Sequence, residues 1–337
     1  MKAVAYYQSL PSSDPQSLQD IELPAPTPGP RDLLVAVRAI SVNPVDTKIR
    51  RNVAPADGQA KVLGWDVTGV VQAVGSEVSL FQVGDEVFYA GALQRQGGNS
   101  ELHVVDERIV GHKPRSLGFA EAAALPLTAI TAWELLFERL KIAEGSASNG
   151  QSLLIIGAAG GVGSILTQLA RQLTGLTVIG TASRPETADW VRQLGAHHVI
   201  DHSQPLLPQL QQLGIQQVNH VASLTHTDQH YDQLIEALAP QGQLALIDDP
   251  AQLDVVKLKR KSLSLHWEFM YTRSLFETPD MQAQHALLER VAQLIDAGTL
   301  RTTLGEHFGS INASNLRRAH VLLESGKARG KIVLEGF

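Results

Sequence analysis

The stretch LLIIGAAGGVGS (153–164) constrains the fold of this 337-residue chain more than any other. Its first part, LLIIG (153–157), is an unbroken apolar run suited to a strand buried on both faces of a parallel sheet. The residues from Gly160 to Leu173 read as a helix. Between strand and helix lie Gly157, Gly160, Gly161 and Gly163. Main chain lacking Cβ can approach a pyrophosphate closely, and the N–H groups and positive dipole end of the following helix favour negative charge. The Gly-x-x-Gly-x-x-Gly spacing is one residue off the usual Gly-x-Gly-x-x-Gly, so specificity comes from the strand–turn–helix context. Gly157, Ala159, Gly160, Gly161, Val162 and Gly163 are therefore the expected lining of a dinucleotide site.

The surroundings repeat the alternation. TVIGT (177–181), HHVI (197–200), VNHVAS (218–223) and QLALI (243–247) read as strands, with helices at 185–194 and 231–238 between them. Such a sequence is an α/β, doubly wound arrangement. A helix at 128–142 leads into it. The half before residue 126 has a different texture, with short runs of strand type at 2–7, 33–40, 67–74, 85–90 and 101–105. Glycines at their ends suggest a compact, rolled β domain. PAPTPGP (24–30) reads as an extended surface connection. Two amphipathic helices, 281–297 and 314–325, and a last strand, 331–337, are expected to fold back onto the β domain, making the nucleotide domain an insertion. The expected division is 1–126 with 271–337, and 127–270.

Length supports this division, because single cores stop growing at roughly 250 to 300 residues. With 44% hydrophobic and 18% charged residues the chain belongs among ordinary globular proteins. Its 28 Lys and Arg against 34 Asp and Glu leave no positive field for a nucleic acid or an anionic membrane. MKAVAYYQSLPSSDPQ lacks the apolar core of a signal peptide, and no run of about 18 apolar residues is evident, so a cytoplasmic location is expected. Cysteine is absent, which removes disulfides and the thiolates most structural zinc sites use.

Enzymes that take NAD usually place an acid about 20 residues past the glycine turn, on the adenine ribose. Here the second strand ends in Thr181, Ala182, Ser183 and Arg184, and the first acid, Glu186, falls inside the next helix. A hydroxyl and a guanidinium suit a 2′-phosphate, which an acid would repel. The expected cofactor is NADPH.

Taken together, SVNPVDTKIR (41–50), LGWDVTGVVQAVG (63–75), VGDEVFY (83–89), AAALPLTAITAWELL (122–136), GAAGGVGS (157–164), LGAHHVIDH (194–202), WEFMYTRS (267–274) and GKIVLE (330–335) resemble the medium-chain dehydrogenase/reductase superfamily. Within it the chain is similar to the quinone oxidoreductase and zinc-type alcohol dehydrogenase-like group. The resemblance implies a GroES-like β-barrel catalytic domain, a Rossmann domain and a homodimer. In zinc-using members the first marker carries a cysteine and the second Gly-His-Glu. This chain has Asn43 and Gly64-Trp65-Asp66 instead, so no metal site is expected. His226 and His230, or adjacent His197 and His198, do not converge as three ligands must. By resemblance, Asn43 and Asp46 line the nicotinamide cleft, Thr128 lies near the nicotinamide, and Ser183, Arg184 and His202 surround the 2′-phosphate. Trp65 either shapes the substrate cavity or packs the barrel.

A quinone or conjugated enone accepts hydride without a Lewis acid, whereas a simple ketone normally needs one. The expected activity is therefore hydride transfer from NADPH to a quinone or similar conjugated carbonyl. Asn43 is the candidate donor to the developing oxyanion, Asp46 the residue holding local geometry, and Tyr89 a candidate proton donor. Alternatives are a 2-alkenal or enoyl double-bond reductase, and a non-enzymatic NADPH-binding sensor of the same fold.

Overall fold

The structure is a computed structural model describing residues 1–56, 58–147 and 150–337. It divides into two compact units: Met1–Ile130 with Tyr271–Phe337, and Thr131–Met270. The first junction falls inside the helix Pro126–Trp133.

In the first unit, among the described residues, the strand Lys2–Tyr6 pairs antiparallel with Gln19–Glu22 and Lys61–Val62. A larger sheet is built around the long strand Asp32–Val42, which pairs with Val67–Val74, Leu102–Asp106 and the returning strand Lys331–Glu335. Its register with the last of these places Ile332 opposite Val42 and Val333 opposite Ser41. The side chains Leu33, Val35, Val71, Val87 and Phe88 are buried in this unit.

In the second unit, six parallel strands run in the order His198–Ile200, Thr177–Thr181, Ser152–Ile156, Val218–Ser223, Leu238–Leu246, Ser264–Trp267. The winding reverses between Ser152–Ile156 and Val218–Ser223. That reversal opens a crevice at the carboxyl ends of the strands, where α/β sheets bind ligands. Leu154, Ile156, Val221, Leu234 and Leu244 lie in one buried cluster below it.

Several elements differ from the sequence expectation. The helix expected from Tyr231 begins at Thr227, because the Asp248 carboxylate accepts from the Thr227 backbone N–H at 2.8 Å and from its hydroxyl at 2.5 Å. The strand expected at 243–247 starts at Leu238. The helix that begins at Pro126 widens into a π turn over Glu134–Arg139. The helical run Phe119–Arg139 is apolar and long enough to meet the length and composition criterion for a membrane span, yet most of it is buried in the protein. It is a core helix.

Candidate dinucleotide and substrate sites

In the second unit the turn after Ser152–Ile156 sits at the reversal point. Gly157 adopts φ +80°, and a Cβ there would stand 3.0 Å from Thr225 Cγ2, on the loop leaving Val218–Ser223. Its backbone N–H donates to Thr181 Oγ1 at 3.1 Å, tying the turn to the end of the neighbouring strand. Gly163 is packed against the strand end: a Cβ would lie 2.4 Å from Gly157 O and 2.6 Å from Ala158 Cα. Gly160 caps the helix Gly161–Leu173 in extended backbone and brings no side chain to its first turn. Gly157, Ala159, Gly160, Gly161 and Val162 are partly exposed while Gly163 is buried. The turn is thus a backbone cradle in which a side chain would intrude.

Ser183 and Arg184 leave the same carboxyl edge, Ser183 exposed and Arg184 at the start of the helix Pro185–Gln193. The Arg184 side chain is 38% exposed and lies 3.3 Å from Glu186 Oε1, an exposed ion pair that holds the guanidinium only weakly. The backbone N–H of Ala182 donates to Ile200 O at 3.0 Å, so the residues after Ile200 emerge beside Ser183. His202 follows at that place, with its ring edge-on to His230 at 6.0 Å between centroids.

The second unit also holds a carboxyl pair that the sequence did not disclose. Glu134 in the π turn and Glu268 after the last strand are both buried. Arg139 Nε donates to Glu268 Oε2 at 2.7 Å. Burial raises the Glu268 carboxyl against the pull of its bonds to Glu134 and Arg139.

In the first unit, Asn43, Asp46, Trp65 and Thr128 are none of them more than 2% exposed. Asn43 precedes the helix Pro44–Asn52, and Asp46 Oδ2 accepts the Asn43 backbone N–H at 2.6 Å. Asp46 Oδ1 accepts from Gly64 N at 2.9 Å. Burial pushes Asp46 up to about 7, against the pull of those two N–H groups and of Lys331. Asn43 Nδ2 donates to Asp66 Oδ2 at 2.8 Å and to Trp65 O at 3.4 Å, so its amide hydrogens are already committed. This corrects the expectation that Asn43 donates directly to an oxyanion. Thr128 Oγ1 donates to Leu125 O at 3.0 Å, a bond within its own helix. Trp65 is wholly buried with Nε1 directed at Ala92 O, 3.4 Å away, which places the indole in the packing of the barrel.

The residue that joins this group is Lys331, overlooked in the sequence because it sits at the start of an apolar strand. Its Nζ lies 3.0 Å from Asp66 Oδ2 and donates to Val42 O at 2.8 Å and to Asn43 Oδ1. Asp66 Oδ1 accepts from Leu127 N at 2.7 Å. Burial raises the Asp66 carboxyl, and the Lys331 charge opposes it. Tyr271 is buried at the same place; burial, with Asp46 and Asp66 acting in the same direction, holds its hydroxyl well above the usual range. Tyr89, in contrast, is bonded to His103 Nδ1 at 3.0 Å, while His103 Nε2 faces Gln96 O at 3.0 Å. Burial lowers His103 to about 4, so the ring is neutral and this pair is closed on itself.

A fold of a GroES-like unit and a doubly wound parallel sheet with a glycine cradle defines a dinucleotide-dependent oxidoreductase. Residues 29–133 match the family model described as alcohol dehydrogenase GroES-like domain, and residues 194–334 the one described as zinc-binding dehydrogenase. The chain is 41% identical over 336 residues to a zinc-type alcohol dehydrogenase-like protein of Staphylococcus aureus (strain MSSA476), covering 99% of each. It is 33% identical over 326 residues to the quinone oxidoreductase of Pseudomonas aeruginosa, covering 95% of this chain and 96% of the relative. Among solved structures, a Rhizobium etli CFN 42 protein proposed to be a zinc-dependent alcohol dehydrogenase superposes with a TM-score of 0.96 at 56% identity, covering 100% of this chain and 98% of the other. A mycobacterial protein in complex with NADPH superposes with a TM-score of 0.83 at 27% identity, covering 99% of each. The chain belongs to the medium-chain dehydrogenase/reductase superfamily, in its quinone oxidoreductase and zinc-type alcohol dehydrogenase-like group. It is an NAD(P)-dependent oxidoreductase.

Proposed function

We propose that the chain is a zinc-independent, NADPH-dependent reductase that passes hydride to a quinone or a similar conjugated carbonyl, as a cytoplasmic homodimer. The observation that carries the reading is the buried Lys331 ammonium 3.0 Å from Asp66. Where zinc-using relatives would offer a thiolate and an imidazole, this chain has a carboxamide, an indole and a carboxylate already paired with a cation. A divalent ion would meet a fixed positive charge there and would have neither sulfur nor imidazole to hold it. These residues do not fit zinc, and no step is assigned to it. Among the described residues no cluster of three His, Cys, Asp or Glu is placed to hold a metal ion elsewhere.

The glycine turn does fit a dinucleotide: Gly157 turns the chain at φ +80°, buried Gly163 lets the helix start pack on the strand end, and partly exposed Gly160 offers side-chain-free backbone at the helix N-terminus. A bound reduced nicotinamide supplies the hydride. Ser183 and Arg184 supply the donors that favour a 2′-phosphate over a ribose hydroxyl. Asn43, Asp46, Asp66 and Lys331 form a rigid polar floor that fixes local backbone, and Tyr271 keeps its hydroxyl proton near neutral pH and can donate a hydrogen bond. An acceptor without Lewis-acid help must delocalise the incoming charge itself, which favours a quinone or enone. The homodimer is supported by the outer edge of Ser264–Trp267, which ends the sheet with Trp267 and Phe269 about half exposed.

Steady-state NADPH oxidation, assayed in parallel on a benzoquinone and a 2-alkenal with and without a metal chelator, tests the reading. Quinone turnover indifferent to the chelator is expected. Turnover on the alkenal alone would reassign the chain to double-bond reduction, and activity lost to the chelator and restored by zinc would end the metal-independent reading.

A further inference from the structure

We propose that Glu134 and Glu268 share one proton at neutral pH, and that this proton closes a clasp between the two ends of the Thr131–Met270 unit. The inference needs neither the substrate nor the cofactor assigned above. Glu134 stands near the first residue of that unit, where the helix widens into its π turn, and Glu268 near the last, just past the strand Ser264–Trp267. Trp267 and Phe269 are about half exposed while Glu268 between them is 3% exposed, so the alternation of extended chain turns its carboxyl inward. Its backbone N–H donates to Leu246 O at 3.0 Å, which fixes that direction.

The inward carboxyl meets that of Glu134, itself 1% exposed, and the two are hydrogen-bonded. An ionised carboxylate only accepts, so a bond between two carboxyls requires a proton on one of them. Charge leads to the same count. Arg139 Nε donates to Glu268 Oε2 at 2.7 Å and its Nη2 lies 3.8 Å from Glu134 Oε2, so a single guanidinium serves both acids. It balances one negative charge, and a second would be buried without compensation. Glu138, on the same π turn, opposes that second charge further. His266 of the strand cannot offset it, because burial, with Lys141 and Arg139 repelling its proton, lowers the ring below the ordinary imidazole range and leaves it neutral. Burial accordingly raises the Glu268 carboxyl above the ordinary carboxylate range.

The clasp therefore responds to pH. Parting the π turn from the segment after the strand returns both carboxyls to water, where they ionise in the ordinary range, so opening releases the shared proton. Opening is favoured as pH rises from the ordinary carboxylate range to the raised pKa of the pair, and below that range it does not depend on pH.

Backbone hydrogen exchange of the full chain, followed between pH 5 and pH 8 and corrected for intrinsic rates, tests the clasp over 131–139 and 264–270. In the parent chain the opening of both segments is expected to rise together with pH, by up to about tenfold per pH unit. Glu134→Gln replaces the shared proton by an amide that donates to Glu268 without titrating, so both segments should stay protected and lose the pH dependence. Glu134→Ala should expose both segments across the whole pH range. At pH 7 the infrared spectrum of the parent chain should contain a carboxylic-acid C=O band that Glu134→Gln and Glu268→Gln each remove. A flat exchange profile in the parent chain, parent-like pH dependence in Glu134→Gln, or no such band at pH 7 would overturn the shared proton.

Discussion

At the scale of single residues, Lys331 and Asp66 do what no surface pair can. Both side chains are withdrawn from water, at 3% and 0% exposure, so each depends on the other for its compensation. Removing one partner of a buried pair leaves the other charged in a low dielectric. Lys331→Met is therefore expected to lower the unfolding free energy by about 3 to 5 kcal/mol at neutral pH, read from urea denaturation. The deficit should shrink toward pH 5. In the variant, the folded-state pKa of Asp66 lies above its unfolded value, so the folded state binds the extra proton and loses stability as pH rises. Adding Asp66→Asn to Lys331→Met should recover part of the loss; a double variant no more stable than the single one would show that the pairing carries little of the effect.

At the scale of elements, the glycine turn separates two roles that look alike in the sequence. Gly163→Ala would push a methyl group to 2.4 Å from Gly157 O and into the Ala158 backbone, which cannot swing aside. That overlap outweighs the gain of about 1 kcal/mol from alanine's better helix propensity. The variant should be destabilised by about 1 to 3 kcal/mol and bind NADPH at least about tenfold more weakly. Gly160→Ala meets only Gly157 O, at 3.4 Å, and should keep the stability of the parent chain in a thermal melt. Strands such as Val67–Val74, Thr177–Thr181 and Val218–Ser223 were legible because apolar run and turn residues agree in them. The helix Leu206–Gln212 was not, since Pro205 and Pro208 read as breakers; Pro208 sits in the first turn, where no intrahelical N–H is missed. The Asn43, Pro44 and Asp46 pattern of a helix start is present in the sequence, inside the SVNPVDTKIR marker of the family. Lys331, Tyr271 and the His202–His230 contact were out of reach, because each gains its meaning from a partner far along the chain.

At the scale of the whole molecule, the last strand of the parallel sheet leaves its outer side without a strand among the described residues. Trp267 at 51% and Phe269 at 48% exposure stand beside it. If that edge joins two copies, Trp267→Arg should shift the protein from dimer to monomer in sedimentation velocity with little change in melting temperature; an unaltered dimer would place the contact elsewhere. The long-range pairing of the first unit has a different outcome, which concerns synthesis. Asn43 and Asp66 leave the ribosome early, and the ammonium that bonds Asn43 and neutralises Asp66 follows some 288 positions after Asn43. A nascent chain must hold an uncompensated carboxylate through nearly all of translation, so the β unit can mature only after release, with the parallel sheet free to form first.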